Sequence, residues 1–333
     1  MKVLNIFFLS SLILFASSSC KEKKRVEKIS IENIELPIAI KIKRYEQALF
    51  NIKKDNIKQE ITKLQKDYAF FIGDEVPDSM GLLKLKEYLE DPAIRQLYED
   101  CNKKYPNLND IEKELETAFK YYFKYFPETK KTPEIYTFIS GINPQAPLFL
   151  LEDSLVIIGL DMFLGGEYYT KYGIPMYIAQ KFKKEYLVPD IFYQLAISKI
   201  GDCKLETFID KAIYYGKIMY FMDAMLPNYE DSLKMFYNAK QIEWCRKNEK
   251  NIWAFVIDQK ILFMKDQSAI NKFIDDAPFS YHFGQNSPGR TGIWLGWQIV
   301  RSFMENNPSY TLKQLLLEPN SKKILNLSKY KPK

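Results

Sequence analysis

The chain has 333 residues, 47% of them hydrophobic and 15% aromatic, which is enough apolar material for one large domain or two small ones. Its formal net charge of +6 is modest, and the charges are mixed with no long basic run, which argues against nucleic acid as a partner. His282 is the only histidine, so a zinc peptidase of the His-Glu-x-x-His type is excluded.

The N-terminus reads as a targeting segment. Lys2 precedes a mostly apolar run from Val3 to Ala16, too short for a membrane span. Ser17-Ser18-Ser19 and Cys20 follow, a pattern that looks like a lipoprotein processing site, with cleavage before Cys20 and diacylglycerol on its thiol. Ser17 stands where such sites usually carry leucine, so the match is relaxed; an ordinary cleaved signal followed by a chance cysteine is the alternative. Residues 1–19 are thus expected to be a signal peptide and residues 20–30 a lipidated cysteine and charged tether. Residues 31–330 are expected to form a single domain, because no segment within them has linker composition. Cys101, Cys203 and Cys245 form no Cys-x-x-Cys pair and are expected to be mostly buried, free thiols.

Ile38 to Ile42 suggests a first strand. Arg44–Phe71 and Ser79–Lys104 read as helices, the second with a break at Pro92. Residues 108–126 form an amphipathic helix whose buried face takes Ile111, Leu115, Phe119 and Tyr122. Glu134 to Ser140 alternates weakly, and Leu148–Leu151 and Leu155–Ile158 flank the turn residues Glu152-Asp153-Ser154, which predicts a hairpin. Beyond Tyr168 the pattern is helical again, over Ile174–Lys184, Asp190–Ile200, Glu206–Met225 and Ala239–Phe263. Together these predict a predominantly helical α+β fold with a small sheet.

The stretch Ser287-Pro288-Gly289-Arg290-Thr291-Gly292-Ile293-Trp294-Leu295-Gly296 continues to Phe303 and reads as a helix capped by Ser287 with Pro288 at its first position. Gly289, Gly292 and Gly296 recur on one face and each cost roughly 1 kcal/mol of helix propensity against alanine. Close approach of another backbone or of a ligand is the usual compensation. Glu249 falls on the apolar stripe of its own helix, where a carboxylate must find a partner or become neutral. One candidate partner is Arg290, beside the positive end of the glycine-bearing helix. Alternatively, Arg290 lines a cleft and receives an acidic group from a partner.

No Gly-x-Ser-x-Gly elbow, phosphate loop or dinucleotide fingerprint occurs, and nothing implies a cofactor, a metal or a small-molecule substrate. Carboxylate-based hydrolysis of cell-wall material, or glycan binding, stays open as an alternative function.

The stretch Ser-Pro-Gly-Arg-x-Gly-x-Trp-x-Gly-Trp-Gln-Ile-Val-Arg-Ser resembles the signature of the GldB gliding-motility lipoproteins. The resemblance extends to Leu160–Gly165, Ile213–Lys217, Leu226–Tyr229 and Trp244-Cys245-x-x-Asn248-Glu249-x-x-Ile252-Trp253. It implies a cell-envelope lipoprotein, anchored to a membrane and facing the periplasm. The family's role would be in gliding motility and the linked type IX secretion, in contact with other envelope proteins of that apparatus and without established enzymatic activity. A second likeness is to zincin-type metallopeptidases. In that likeness Gln194 and Ser198 would stand in for the metal-binding histidines, Leu195 for the catalytic glutamate and Tyr215 for a further ligand, implying a zincin-like scaffold with a degenerate site. The plain reading of Asp190–Ile200 is an ordinary buried helix.

Overall fold

In the computed structural model, which describes residues 30–36, 39–129, 131–151 and 153–332, β-branched and aromatic residues gather into four short strands. These are β1 (Ile42–Arg44), β2 (Glu134–Phe138), β3 (Leu148–Leu151) and β4 (Leu155–Gly159), in the order β1-β2-β4-β3. β1, β2 and β4 run parallel, while β3 pairs antiparallel with β4, Leu148 opposite Ile158 and Leu151 opposite Leu155. The expected hairpin is therefore present. The first strand starts later than expected: residues 37 and 38 lie outside the described residues, residues 39–41 are not strand, and the Ile42 N–H donates to Glu112 Oε1 at 2.9 Å.

Between β1 and β2 lie α1 (Tyr45–Phe50), α2 (Ile57–Ile72), α3 (Ser79–Glu90), α4 (Pro92–Lys104) and α5 (Asn109–Tyr125). The single helix expected over 44–71 is instead two, because Asn51 ends α1 and turns its side chain back to the Gln47 carbonyl. The break at Pro92 is real: Asp91 accepts from the N–H groups of Ala93 and Ile94, and Pro92 opens α4 where no donor is needed. After β4 the chain makes 3-10 turns at Leu160–Phe163 and Gly166–Tyr172. Asp161, fully buried, accepts from the N–H groups of Ser140 and Ile142 and so fastens the loop after β2.

The helix expected over 174–184 shrinks to α6 (Met176–Ala179), with a 3-10 turn at Lys184–Tyr186. Then come α7 (Leu187–Lys199), α8 (Phe208–Met225), α9 (Asp231–Met235), α10 (Ala239–Asp258), α11 (Gln267–Ile274), α12 (Thr291–Asn306), α13 (Leu312–Leu317) and α14 (Ser321–Ser328). α10 stops short of Phe263, with Lys260 in the left-handed region. Cys101 and Cys245 are buried thiols and Cys203 is half-buried.

α12 is the glycine-bearing helix, but it begins later than its sequence suggests. Arg290 (φ 59°) is its N-cap, and Pro288 and Gly289 belong to the preceding loop. The Ser287 hydroxyl does not cap the helix; it donates to the carbonyls of Ser280 and Gly284. Trp294 and Gln298 are buried as well, because α12 is enclosed almost all round.

The glycines do what their cost implied. α8 and α12 cross at Gly216 and Gly296: a Cβ on Gly296 would fall on the Ala212 carbonyl, and one on Gly216 would meet the Gly296 carbonyl and stand 2.9 Å from Val300 Cγ2. Below this crossing, Asp223 of α8 accepts from Arg301 Nε at 2.7 Å, Arg301 Nη2 at 2.8 Å, Lys234 Nζ at 2.9 Å and Trp297 Nε1 at 2.8 Å. Asp231 accepts from Arg301 Nη2 at 3.0 Å and from Arg246 at 3.1 Å. The Arg301 guanidinium lies 3.7 Å over the Trp297 ring.

Two outcomes are expected. Gly296→Ala should cost stability at the upper end of the ~1–3 kcal/mol typical of overpacking, since the obstacle is backbone; urea unfolding measures it, and an unchanged midpoint would mean that the helices separate freely. Arg301→Ala leaves Asp223 and Asp231 buried beside fewer cations and should cost about 3–5 kcal/mol at pH 7. Burial disfavours the Asp231 charge, but Arg301 above all overcomes this and holds the carboxyl down to about 2. Asp231's contribution is therefore complete above the unfolded value of ~3.9 and lost as pH falls toward 2. The deficit of Arg301→Ala should accordingly shrink over that acid window.

Candidate functional site

Next to the α8–α12 crossing the surface opens into a cleft of about 520 Å³. α7 supplies Asp190, Tyr193 and Gln194, and α8 supplies Tyr215. Lys181 and Phe182 come from the segment after α6, Phe236 from the end of α9, Asp275 and Asp276 from the end of α11, and Arg290 and Ile293 from the start of α12. Pro144 and Pro147, leading into β3, close the remaining side. A recess of this size, with a mainly apolar and aromatic lining and a few charges, has the form of a small-ligand or side-chain pocket.

Arg290 is only 6% exposed. Its Nη1 donates to the Met235 carbonyl at 2.8 Å, and its guanidinium stands 5.8 Å from the Phe236 ring centroid. Its nearest carboxylate is Asp276, at 3.7 Å from Nε, which is an ion pair but too long for a hydrogen bond. Asp276 also pairs with Lys181 and is 41% exposed at the mouth. Phe236 (φ 55°) and Arg290 (φ 59°) both occupy the left-handed region, which costs a non-glycine residue roughly 1–2 kcal/mol. The Tyr237 hydroxyl donates to the Gly289 carbonyl and steadies the approach to Arg290, and Gly289 itself lies where a Cβ would be 2.7 Å from the Ala277 carbonyl.

The charges in this recess are perturbed in different directions. Burial pushes the Asp190 carboxyl up to about 6, against a hydrogen bond from Gln194 and the charge of Lys181. Burial, aided by Arg290 and opposed by Asp276, brings Lys181 down to about 8. For Asp276 burial opposes ionisation, but Arg290 and Lys181 prevail and hold its carboxyl below the usual range.

Of the positions singled out in the sequence, Arg290, Gln194 and Tyr215 meet in this one cleft. Leu195 does not line it and is packed in the core at 2% exposure, and the Ser198 hydroxyl turns to Asp153 and the Leu195 carbonyl. The proposed Glu249–Arg290 pair is not formed. Arg290 meets Asp276, whereas Glu249 of α10 accepts from the Tyr330 hydroxyl at 2.9 Å. His282 sits in the loop before α12, stacked on Phe273 at 4.7 Å. Cys20 lies outside the described residues. Lys181, Asp190 and Asp276 were missed as site residues. Asp190 could have been found, since it lies one helical turn before Gln194 on the same helix; no spacing connects Lys181 with Asp276.

Among the described residues no group of three or more His, Cys, Asp or Glu side chains is placed to hold a metal ion, and no helix is long and apolar enough to cross a membrane. The family model for gliding motility protein GldB matches residues 20–332. The chain belongs to the GldB family. No curated protein and no solved structure matches it. The segments that carried the family resemblance have separate structural duties. Leu160–Gly165 contains the Asp161 fastening, and Ile213–Lys217 contains the glycine crossing, with Lys217 donating to the Glu318 carbonyl. The C-terminal signature places Arg290 in the cleft of this GldB-family chain.

The raised Asp190 value has a stability consequence. Between the unfolded value of ~3.9 and about 6 the folded state holds more protons than the unfolded one, so stability falls as pH rises through that window. Asp190→Asn should therefore raise the melting temperature clearly at pH 7.5 and little at pH 4. An equal gain at both pH values would show that the carboxylate is not held in a desolvated state.

Proposed function

We propose that this GldB-family protein is a lipid-anchored, periplasm-facing and non-catalytic component of the gliding machinery and of the linked type IX secretion apparatus. The family match supports the gliding role, and it opens at Cys20, the residue read as the lipidated N-terminus. Within that role the cleft is a docking recess. The observation that carries this reading is Arg290, a nearly buried guanidinium held in a left-handed conformation at the cleft wall, with one hydrogen bond to backbone and a long ion pair to an exposed carboxylate. Strained residues held at a cleft are commonly kept for what they contact. Of the four positions in the zincin likeness only Gln194 and Tyr215 lie beside Arg290, where they line the recess as a binding surface.

A carboxylate-dependent cell-wall hydrolase is the second reading. It draws on Asp190 and Asp276, two carboxyl groups in one recess whose environments push them in opposite directions, as a general acid and a base require. Purified cell wall incubated with the protein, with and without chelator, separates the two readings: release of soluble fragments that Asp190→Asn abolishes would replace the docking role with catalysis.

Mass spectrometry of the mature N-terminal peptide is expected to show acyl chains on Cys20. Cys20→Ala should leave the melting temperature unchanged, because Lys21 to Lys28 is a charged sequence with no apolar period, yet release or misprocess the protein and stop gliding. An unmodified Cys20, or cleavage elsewhere, removes the anchor from the proposal.

A further inference from the structure

Arg290 and Lys181 share one nearby carboxylate, Asp276, and hold it differently. Lys181 makes a close ion pair with one oxygen, while Arg290 stands 3.7 Å from the other. A planar guanidinium beside a carboxylate normally settles into a short, two-pronged contact. Here it does not, although Arg290 is fixed by Met235 and Phe236 and Asp276 sits on the exposed segment after α11. The buried cation is built in; the carboxylate in front of it comes from the rim and is held closely by Lys181 but only at long range by Arg290. The rest of the recess can accept more than an anion. The Phe236 ring provides an apolar face, and Asp190, on the opposite helix, offers acceptor oxygens for N–H groups.

We propose that the cleft binds a carboxylate-bearing peptide segment, and that Asp276 is an internal stand-in that the incoming carboxylate displaces from Arg290 and Lys181. The inference rests on the docking reading above and names its ligand and the side chain that guards it. The ligand's carboxylate takes the guanidinium fork that Asp276 leaves unfilled. Its neighbouring apolar side chain lies against Phe236, and its backbone N–H groups turn toward Asp190. A fatty acid offers the carboxylate but no N–H donors, so the Asp190 side of the recess disfavours it. Asp276 keeps Arg290 and Lys181 compensated while the cleft is empty and sets a threshold that weak or non-specific anions do not pass.

The test titrates the detergent-solubilised, full-length protein with four probes: N-acetyl-Gly-Phe with a free carboxyl, its amide, N-acetyl-Asp-Phe-amide, and decanoate. Calorimetry reads the affinity. At least one of the two carboxylate peptides should bind and the neutral amide should not. The free acid binding better identifies a chain end as the ligand, and the aspartyl peptide binding better identifies an acidic side chain. Asp276→Asn should tighten the preferred peptide roughly tenfold, and Lys181→Gln and Arg290→Gln should each weaken it at least roughly tenfold. Circular dichroism checks folding; if Arg290→Gln unfolds, Asp276→Asn and Lys181→Gln decide, since both alter groups at the mouth. Equal binding of the amide, or weaker binding by Asp276→Asn, overturns the proposal, as does decanoate binding as tightly as either peptide. Motility of the Lys181→Gln strain separates this inference from the reading beneath it. Peptide binding in a protein whose Lys181→Gln strain glides normally keeps the ligand and removes the cleft from gliding. Absence of peptide binding together with a non-gliding strain does the reverse.

Discussion

The contact on which both the cleft and the buried ion cluster depend is the crossing of α8 and α12 at Gly216 and Gly296, where two backbones touch with no side chain between them. Such an approach needs glycine at both positions, and it places everything around it. One residue from Gly216, Tyr215 reaches the cleft; at the head of α12, Arg290 reaches the same cleft from the other side. Further along both helices, Trp297 and Arg301 of α12 meet Asp223 of α8. Widening the crossing by the thickness of a methyl group would disturb the recess and the ion cluster together.

Those two charged regions are built on different principles. Asp223 is saturated, receiving donors from Arg301, Lys234 and Trp297, so breaking one partner strands a buried charge and little is left over to bind anything else. Arg290 is unsaturated, with a backbone carbonyl on one nitrogen and a distant, exposed carboxylate for company. The saturated cluster fixes the helices. The unsaturated guanidinium, nearly buried but lining the cleft, is suited to meeting something that arrives from outside.

The sequence made the apolar periodicities legible: α5, α8, the hairpin of β3 and β4, and the break at Pro92 appear where their residues suggested. It also signalled the tight packing at Gly296, because glycines repeated on a helical face demand a compensation. What it concealed was set by tertiary context. The start of α12 moved past Ser287 and Pro288 because Arg290 turns left-handed and the serine hydroxyl was claimed by loop carbonyls. Asp190, Gln194 and Tyr215 lie on neighbouring helices and Gln194 and Tyr215 could be named, but Lys181 and Asp276 come from irregular segments that periodicity cannot place. That Asp276 and not Glu249 is the neighbour of Arg290 is likewise tertiary: Glu249 meets Tyr330 near the end of the chain, and nothing near α10 announces that.

The sheet has a consequence for how the protein assembles. A chain made from its N-terminus delivers β1 first, but its parallel partner β2 follows only after α1 to α5, and β2 in turn pairs with β4. The parallel pairing of β1 thus closes a long loop before it gains a hydrogen bond, and long-range closure of this kind is slow. The helices in between can form early and shelter their own apolar faces, with Tyr45, Leu49, Ile61 and Leu89 forming a small core apart from the main one. The α8–α12 crossing comes later still, since its second half is near the end of the chain. Until then α8 exposes a helix that is hydrophobic on nearly every side, the stage of synthesis at which this protein most needs to be kept from its neighbours.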